Sequence, residues 1–374
     1  MCISPLPPEV LANLTKFKYK STCDSIIYNK FLSPWLNKFI VFIPKKLAPN
    51  LITLFSLLFN IFAAIISYYD GGFDFSKKIK RITCFVIGFF QLMYLLLDNI
   101  DGKHARATGN TSPFGMLMDH GCDIFTTIFT CFNLSKLLLV GNDDFFSFSV
   151  FFGLMLGFYI MTYEGYKLGE MHFPKIDGSV EGNIAIVLLG IIFAIIGQGV
   201  LEIVLIESLK ITVGKLCGTL ILLGGVSAVF NLYLHSLKKK GLKETLKIPL
   251  DNIPFYSCCI IPILFIIYCP SFYQKSKWIV LANACLLFAR VTIDVQVKIS
   301  TIDTLKCNIM YVFSNAIYIS SFILFRNDFI RYYVLLFLFL VQSTELAVFI
   351  IFRAREITTH LGIRIFCVKE VRAA

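Results

Sequence analysis

Residues 82–98 read ITCFVIGFFQLMYLLLD, an apolar run of the length and composition of a helix that crosses a bilayer. Such a helix needs about 20 mostly apolar residues, because about 30 Å of hydrocarbon is crossed at about 1.5 Å per residue. Ten stretches of the chain meet this requirement. They lie near 47–69, 82–98, 112–135, 145–163, 184–201, 211–236, 254–270, 277–297, 307–325 and 329–352.

The composition agrees with a membrane protein. Of the 374 residues, 57% are apolar and 16% are charged, whereas soluble domains have about 45–50% and about 25%. The net charge of +11 comes from Lys and Arg that lie mostly between the apolar runs, so it indicates lipid headgroups and topology rather than nucleic acid. The 12 cysteines include no Cys-x-x-Cys pair, and we expect neither a disulfide nor a zinc site.

We predict an all-α polytopic membrane protein with about ten transmembrane helices in a single membrane domain, 1–374. An even number of spans returns both termini to one side, and this side carries more than twice as many Lys and Arg as the other. The positive-inside rule therefore places both termini in the cytosol, with a cytosolic tail at 353–374. The start of the chain lacks the pattern of a cleaved signal peptide.

Residues 29–43 precede the first span and repeat apolar side chains at helical spacing, with Lys and Asn between them. This pattern predicts an interfacial amphipathic helix in the headgroup layer, or else a connector that packs on the other helices. Glycines four residues apart, Gly153 with Gly157 and Gly214 with Gly218, allow two helices to approach closely. Packing within the chain and a homodimer interface both explain them.

An acidic cluster interrupts the apolar pattern between the second and third spans. Asp98, Asp101, Asp119 and Asp123 fall within 26 residues, although a charge at the centre of a span costs about 2.5–3.5 kcal/mol. On a helix, Asp98 and Asp101 are about 60° apart and Asp119 and Asp123 about 40° apart, so each pair faces one way. Because a short connection makes the two helices antiparallel neighbours, we expect the pairs to converge.

Converging carboxylates require a cation. Two like charges at about 4 Å repel by about 4 kcal/mol at an effective dielectric constant of 20. Oxygen ligands select Mg²⁺ or Mn²⁺, and two such ions held by carboxylates form a common clamp for phosphoryl transfer. Gly102, Ala105 and Gly115 either leave room for a ligand or serve helix packing, and Arg106 could bind a phosphate oxygen, anchor the helix at the membrane surface or pair with Asp98.

At these residues the sequence resembles the CDP-alcohol phosphotransferase family, whose signature is D-x2-D-G-x2-A-R-x8-G-x3-D-x3-D. The resemblance extends to the choline/ethanolamine phosphotransferase branch. The similar stretches are KYKSTCDS (18–25), PKKLAPNLITL (44–54), DHGCD (119–123), FYIMTYEGYKLGEM (158–171), DGSVEG (177–182) and THLGIRIF (359–366). Tyr163 departs from the branch, whose members carry Trp there, and 290–298 matches only loosely.

The resemblance implies transfer of phosphocholine or phosphoethanolamine from CDP-choline or CDP-ethanolamine to diacylglycerol, with release of CMP. It implies two Mg²⁺ or Mn²⁺ ions on Asp98, Asp101, Asp119 and Asp123, in the part formed by the first three spans, 47–135. The remaining spans are 145–352. It also implies the endoplasmic reticulum, with the active site facing the cytosol. The alternatives are phosphatidylinositol synthesis from CDP-diacylglycerol and, from another class, an ion-coupled transporter.

Roles can be assigned to individual residues of the acidic cluster and of the other similar stretches. His120 is the first choice of base, because its unperturbed pKa is near neutrality, and Asp123 is the second; a structural His120 is the alternative. His104 is interpreted as a solvated residue of the connection, and contact with the nucleotide is the alternative. Asn50 either contacts the cytidine or caps a helix after Pro49. The cofactor-binding set is thus Asn50, Gly102, Ala105, Arg106 and Gly115. Glu164 and Glu181 are candidates for headgroup or nucleotide recognition, or for solvated loops.

Overall fold

The computed structural model describes residues 4–175, 178–208, 211–304, 315–319 and 324–368. Within these ranges the chain is almost entirely helical. The helices are α1 (Pro8–Ala12), α2 (Ser33–Phe39), α3 (Pro49–Gly71), α4 (Arg81–Ala107), α5 (Pro113–Leu138), α6 (Asp144–Leu168), α7 (Asn183–Ile196), α8 (Val213–Lys240), α9 (Leu242–Thr245), α10 (Ile248–Asp251), α11 (Ile253–Tyr268), α12 (Pro270–Thr301) and α13 (Asp328–Leu361).

The protein is an all-α polytopic membrane protein, as predicted. Over the described ranges, seven helical segments are long and apolar enough to cross a bilayer. They are Pro49–Gly71, Arg81–Ala107, Asp144–Leu168, Gly178–Ile196, Val213–Lys240, Pro270–Thr301 and Asp328–Leu361. An eighth is reached if Leu242–Asp251 and Ile253–Tyr268, which are bent by 46°, form one broken span.

The described residues therefore contain fewer candidate spans than the ten predicted. The predicted span at 112–135 is a helix, α5, of 26 residues, but with its aspartates it is not among the seven. The predicted span at 307–325 falls largely outside the described residues. The sequence pattern thus predicted the class of the protein, whereas the full number of spans stays a prediction.

The segment ahead of α3 is helical, with a π-helical turn at Tyr28–Leu32, then α2, then a 3₁₀ turn at Ile40–Phe42. Several of its apolar side chains are exposed, among them Phe31, Trp35 and Phe42. Its polar side faces α4, where Lys103 Nζ donates to Ser33 Oγ and Asn37 Oδ1, each at 2.8 Å. Its placement in the headgroup layer, over the predicted range 29–43, stays a prediction.

Two short strand pairs complete the fold. The strand β1 (Ser21–Cys23) pairs in parallel with β2 (Met171–Phe173), and β3 (Val204–Ile206) pairs antiparallel with β4 (Ile211–Thr212). The first pair fastens the N-terminal segment to the connection that follows α6. The carboxylate of Glu181 strengthens this attachment, because it accepts hydrogen bonds from Ser25 Oγ at 2.6 Å and from Ile27 N at 3.3 Å.

The largest buried cluster lies among α5, α6, α11, α12 and α13. At its centre the rings of Tyr159 and Phe255 stack at 4.0 Å with an interplanar angle of 3°. Helix α3 packs against both α4 and α5, and α4 packs against α7. The acidic residues of α4 and α5 are thereby held between helices that are fixed from several sides.

Glycines bring two pairs of these helices into backbone contact. Gly153 of α6 meets Gly225 of α8, and a Cβ at Gly225 would lie 2.5 Å from the Gly153 carbonyl oxygen. Gly88 of α4 meets Gly190 of α7, where a Cβ at Gly190 would lie 2.6 Å from Gly88 Cα. The close approach expected at Gly153 therefore occurs within the chain, and a homodimer is not needed to explain it.

This contact predicts a stability difference between two adjacent glycines. Gly225→Ala should destabilise the protein by about 1–3 kcal/mol through overpacking, and so lower its Tm in detergent. Gly224→Ala is the matched control, because a Cβ at Gly224 would meet nothing within 4 Å. Equal melting temperatures for the two variants would contradict the backbone contact between α6 and α8.

Candidate metal and nucleotide site

Helix α4 continues without a break from its apolar part to Ala107, so Asp98 and Asp101 are helical residues. The connection to α5 is short. Pro113 opens α5 as its first residue, and Ser112 caps it by accepting a hydrogen bond from Gly115 N at 2.9 Å. Proline at the first position and serine before it are strong signals for a helix start. The carboxylates of the two helices are thus brought to the same end of the pair.

The structure brings three of the four predicted ligands together. Asp98, Asp119 and Asp123 can each offer a carboxylate oxygen such that all three atoms lie within 4.8 Å of one another. All three side chains are half-buried. Asp98 Oδ1 is buried and has no hydrogen-bond partner among the described residues. An unpartnered buried carboxylate oxygen beside two other carboxylates fits a hard divalent cation.

Asp101 lies outside this group of three. Its side chain is only 4% exposed, and its Oδ2 accepts a hydrogen bond from Thr53 Oγ1 of α3. The carboxylate therefore has a neutral donor on one oxygen and keeps further lone pairs. A role for Asp101 as a fourth ligand stays a prediction.

Sequence reasoning missed a tyrosine at this site. Tyr94 lies one turn before Asp98 on α4, and its hydroxyl donates to Asp123 Oδ1 at 2.9 Å. The side chain is 8% exposed. Its spacing of four residues from Asp98 was visible in the sequence, but in an apolar span rich in aromatic residues nothing distinguished it from a packing residue.

His120 is half-buried on α5 and contacts two residues from other parts of the chain. Its Nδ1 lies 3.2 Å from Nε2 of Gln296 on α12, and the same amide lies 3.2 Å from Thr162 Oγ1 on α6. The ring also meets Tyr19 edge-on at 5.5 Å. Desolvation raises the pKa of the Tyr19 hydroxyl, so it stays protonated at neutral pH.

The residues predicted to hold the substrate lie on α4 after Asp101 and at the starts of α3 and α5. The exposed side chain of Arg106 folds back over Gly102, where a Cβ would lie 3.5 Å from Nη1. Ala105 is half-buried on the same turn of α4. Asn50 Oδ1 lies near Gly115, 3.7 Å from the position of a Cβ there. The two glycines therefore leave space beside the polar groups of Arg106 and Asn50.

Asn50 is not a helix cap. Helix α3 begins at Pro49 after Ala48, and no side chain caps it. Instead, Asn50 Nδ2 donates to the Ile365 carbonyl at 2.7 Å, which draws the C-terminal segment towards the start of α5. The amide oxygen of Asn50 accepts no hydrogen bond from the described residues in this arrangement, so it can serve a ligand.

The prediction for His104 was wrong. His104 belongs to α4, is 1% exposed, and its Nε2 lies 2.9 Å from the Leu47 carbonyl. It is a structural tie between the helix and the segment before α3. Glu164 and Glu181 are also engaged by the protein: Glu164 lies 2.7 Å from His235 Nδ1, and Glu181 binds the N-terminal segment. Neither is a solvated loop residue, and their part in recognition stays a prediction.

Comparison with known proteins gives a consistent picture. The model of the family described as CDP-alcohol phosphatidyltransferase matches residues 46–214, which contain α3, α4 and α5. Cholinephosphotransferase 1 of Homo sapiens is 28% identical over 97% of this chain and 89% of its own length. An uncharacterized class-I family protein of Dictyostelium discoideum is 26% identical over 96% and 86%.

Identity is higher over a shorter region. Cholinephosphotransferase 1 of Saccharomyces cerevisiae is 34% identical over 51% of this chain and 48% of its own length. The alignment thus covers about half the length of the yeast relative and most of the length of the human one.

Proposed function

The chain belongs to the CDP-alcohol phosphatidyltransferase family, and we propose that it transfers phosphocholine, phosphoethanolamine or both from the CDP-alcohol to diacylglycerol. CMP is the other product. The main observation that supports this proposal is that Asp98, Asp119 and Asp123 meet at one end of two membrane helices. One buried oxygen of Asp98 has no hydrogen-bond partner among the described residues. The names of the human and yeast relatives favour choline as the alcohol.

The donor set fits a divalent cation. In this proposal Asp98, Asp119 and Asp123, joined by Asp101, would hold two Mg²⁺ or Mn²⁺ ions. When bound, the ion supplies positive charge that offsets the diphosphate and the charge left on departing CMP. The remaining work, which is binding, orientation and proton transfer, falls to other side chains of the chain.

Arg106 and Asn50 bind the nucleotide in this proposal. The exposed guanidinium of Arg106 offers parallel donors to a phosphate oxygen. The amide oxygen of Asn50 can accept the exocyclic N–H of cytosine, because its Nδ2 is already engaged by Ile365. Gly102, Ala105 and Gly115 keep the space between these groups free of side chains. Diacylglycerol arrives laterally from the bilayer.

His120 is the proposed base for the diacylglycerol hydroxyl, and Asp123 is the second candidate. A neutral imidazole accepts a proton on Nε2 only when Nδ1 carries the hydrogen. In the structure Gln296 Nε2 faces His120 Nδ1 and donates to Thr162 Oγ1; with the amide turned by 180°, its oxygen would instead accept from Nδ1–H and from the Thr162 hydroxyl. Its Oε1 otherwise has no partner among the described residues, and the two amide orientations are nearly indistinguishable by shape.

The location is part of the proposal. The distribution of Lys and Arg supports a cytosolic N-terminus, which would expose the aspartate end of α4 and α5 to soluble CDP-alcohols. We place the protein in the endoplasmic reticulum with this face towards the cytosol. The earlier alternative of an ion-coupled transporter is set aside, because the family is one of enzymes.

The test is CMP release by the purified chain in lipid nanodiscs with three substrate pairs. CDP-choline or CDP-ethanolamine with diacylglycerol should release CMP and form the corresponding phospholipid, and the ratio of the two rates gives the preference. CDP-diacylglycerol with inositol should release none. Release only from the third pair would overturn the proposed direction of transfer while leaving the family intact.

A further inference from the structure

Few side chains join α4 directly to α5, although the two helices carry all four aspartates. Both are held mainly by α3, which packs on each of them. One tie is the hydrogen bond from the Tyr94 hydroxyl to Asp123 Oδ1 at 2.9 Å. Another is a long contact of 3.5 Å from Thr130 Oγ1 to Gln91 Oε1, farther along the helices. Tyr94 is therefore the nearest direct tie to the acidic cluster.

We propose that Tyr94 is a positioning residue that holds Asp123 in the orientation needed to bind the divalent cation. This inference rests on the proposed function, since it assumes that Asp123 is a ligand. The hydroxyl occupies one lone pair of Oδ1 and leaves the other lone pairs of the carboxylate to the cation. Partners of this kind typically fix the direction of metal ligands and change affinity when they are removed.

The chemistry of the donor supports this role. Three carboxylates within 4.8 Å repel one another, so Asp123 would turn away from Asp98 and Asp119 unless something fixed it. A Lys or Arg at this place would neutralise the carboxylate and compete with the cation. A neutral phenol orients the carboxylate without contributing charge. Thr53 stands in the same relation to Asp101, again as a neutral hydroxyl donor.

The burial of Tyr94 makes the tie rigid. At 8% exposure the phenol is packed between helices, and it is attached to the same helix as Asp98. A ligand on α5 is therefore oriented by the helix that carries the opposing ligand. This arrangement sets the separation of the two halves of the site before a cation arrives, which lowers the ordering cost of binding.

The experiment measures Mn²⁺ affinity by the electron paramagnetic resonance signal of free Mn²⁺, on the whole 374-residue chain purified in detergent without substrate. Tyr94→Phe removes only the hydroxyl and should raise the Kd for Mn²⁺ by about 10-fold or more. Tyr273→Phe is the matched control. Tyr273 is buried more completely, at 0% exposure, and its hydroxyl has no hydrogen-bond partner within the described ranges, so this variant should bind Mn²⁺ with the Kd of the wild type.

A double-mutant cycle separates positioning from general packing. If Tyr94 acts through Asp123, Tyr94→Phe should cause no further loss of affinity in an Asp123→Asn background. The inference would be overturned by equal losses of Mn²⁺ affinity in both backgrounds. It would also be overturned by a Kd of Tyr94→Phe within twofold of the wild type, or by aggregation of the Tyr94→Phe variant alone. Absence of Mn²⁺ binding by the wild-type protein would instead overturn the proposed metal site, and the role of Tyr94 with it.

Discussion

Asp119→Asn is expected to lower the rate of CMP release by at least about 1,000-fold. The substitution keeps the size of the side chain but removes a negative charge and an anionic ligand from the group formed with Asp98 and Asp123. Sites of this kind stabilise the transition state of phosphoryl transfer by several kcal/mol. A change of about 1.4 kcal/mol in the activation free energy changes the rate tenfold. The measurement is the initial rate with CDP-choline and diacylglycerol in nanodiscs.

Asp74→Asn provides the control for this loss. Asp74 is an exposed aspartate in the connection between α3 and α4, and its Oδ1 accepts from Ser76 N at 2.9 Å. Hydrogen bonds from Ser76 hold the pKa of its carboxyl below the usual range, so it is charged at neutral pH like a surface aspartate. This variant should keep the wild-type rate. An Asp119→Asn enzyme within tenfold of the wild type would refute a catalytic role for the cluster.

His120→Gln is expected to lower kcat by about 100-fold or more, which is the range for loss of a general base. The KM for the CDP-alcohol should change little, because the nucleotide is assigned to Arg106 and Asn50. Glutamine keeps a polar group next to Gln296, so a loss of fold is not expected. The rates and KM values are measured across CDP-choline concentrations at saturating diacylglycerol.

His360→Gln is the matched control for the histidine. His360 is exposed in the last turn of α13 and should tolerate the change. A His120→Gln enzyme with near-normal kcat would remove His120 from the reaction and leave Asp123 as the candidate base. A raised KM at unchanged kcat would instead make His120 a substrate-binding residue.

The convergence of Asp98 with Asp119 and Asp123 could be predicted because it depends on local geometry. Helical spacing fixes the direction of residues that lie three or four apart, and a short connection fixes the antiparallel arrangement. The same local reasoning failed for His104. It assigned His104 to the connection after the second span, whereas the helix continues to Ala107 and buries the histidine.

The partners of the site residues could not be predicted, because they come from distant parts of the chain. Gln296 reaches His120 from α12, and the Ile365 carbonyl reaches Asn50 across 315 residues of sequence. Such contacts depend on how each helix is rotated about its axis, and apolar spans with little amphipathic pattern do not encode that rotation visibly. Tyr94 was missed for the same reason.

Removal of divalent ions shows whether the clustered aspartates of α4 and α5 work with a divalent cation. Purified protein is treated with excess chelator, freed of it, and assayed for CMP release from CDP-choline and diacylglycerol. We expect that release falls to background and returns on addition of Mg²⁺ or Mn²⁺. Undiminished release after chelation would contradict it.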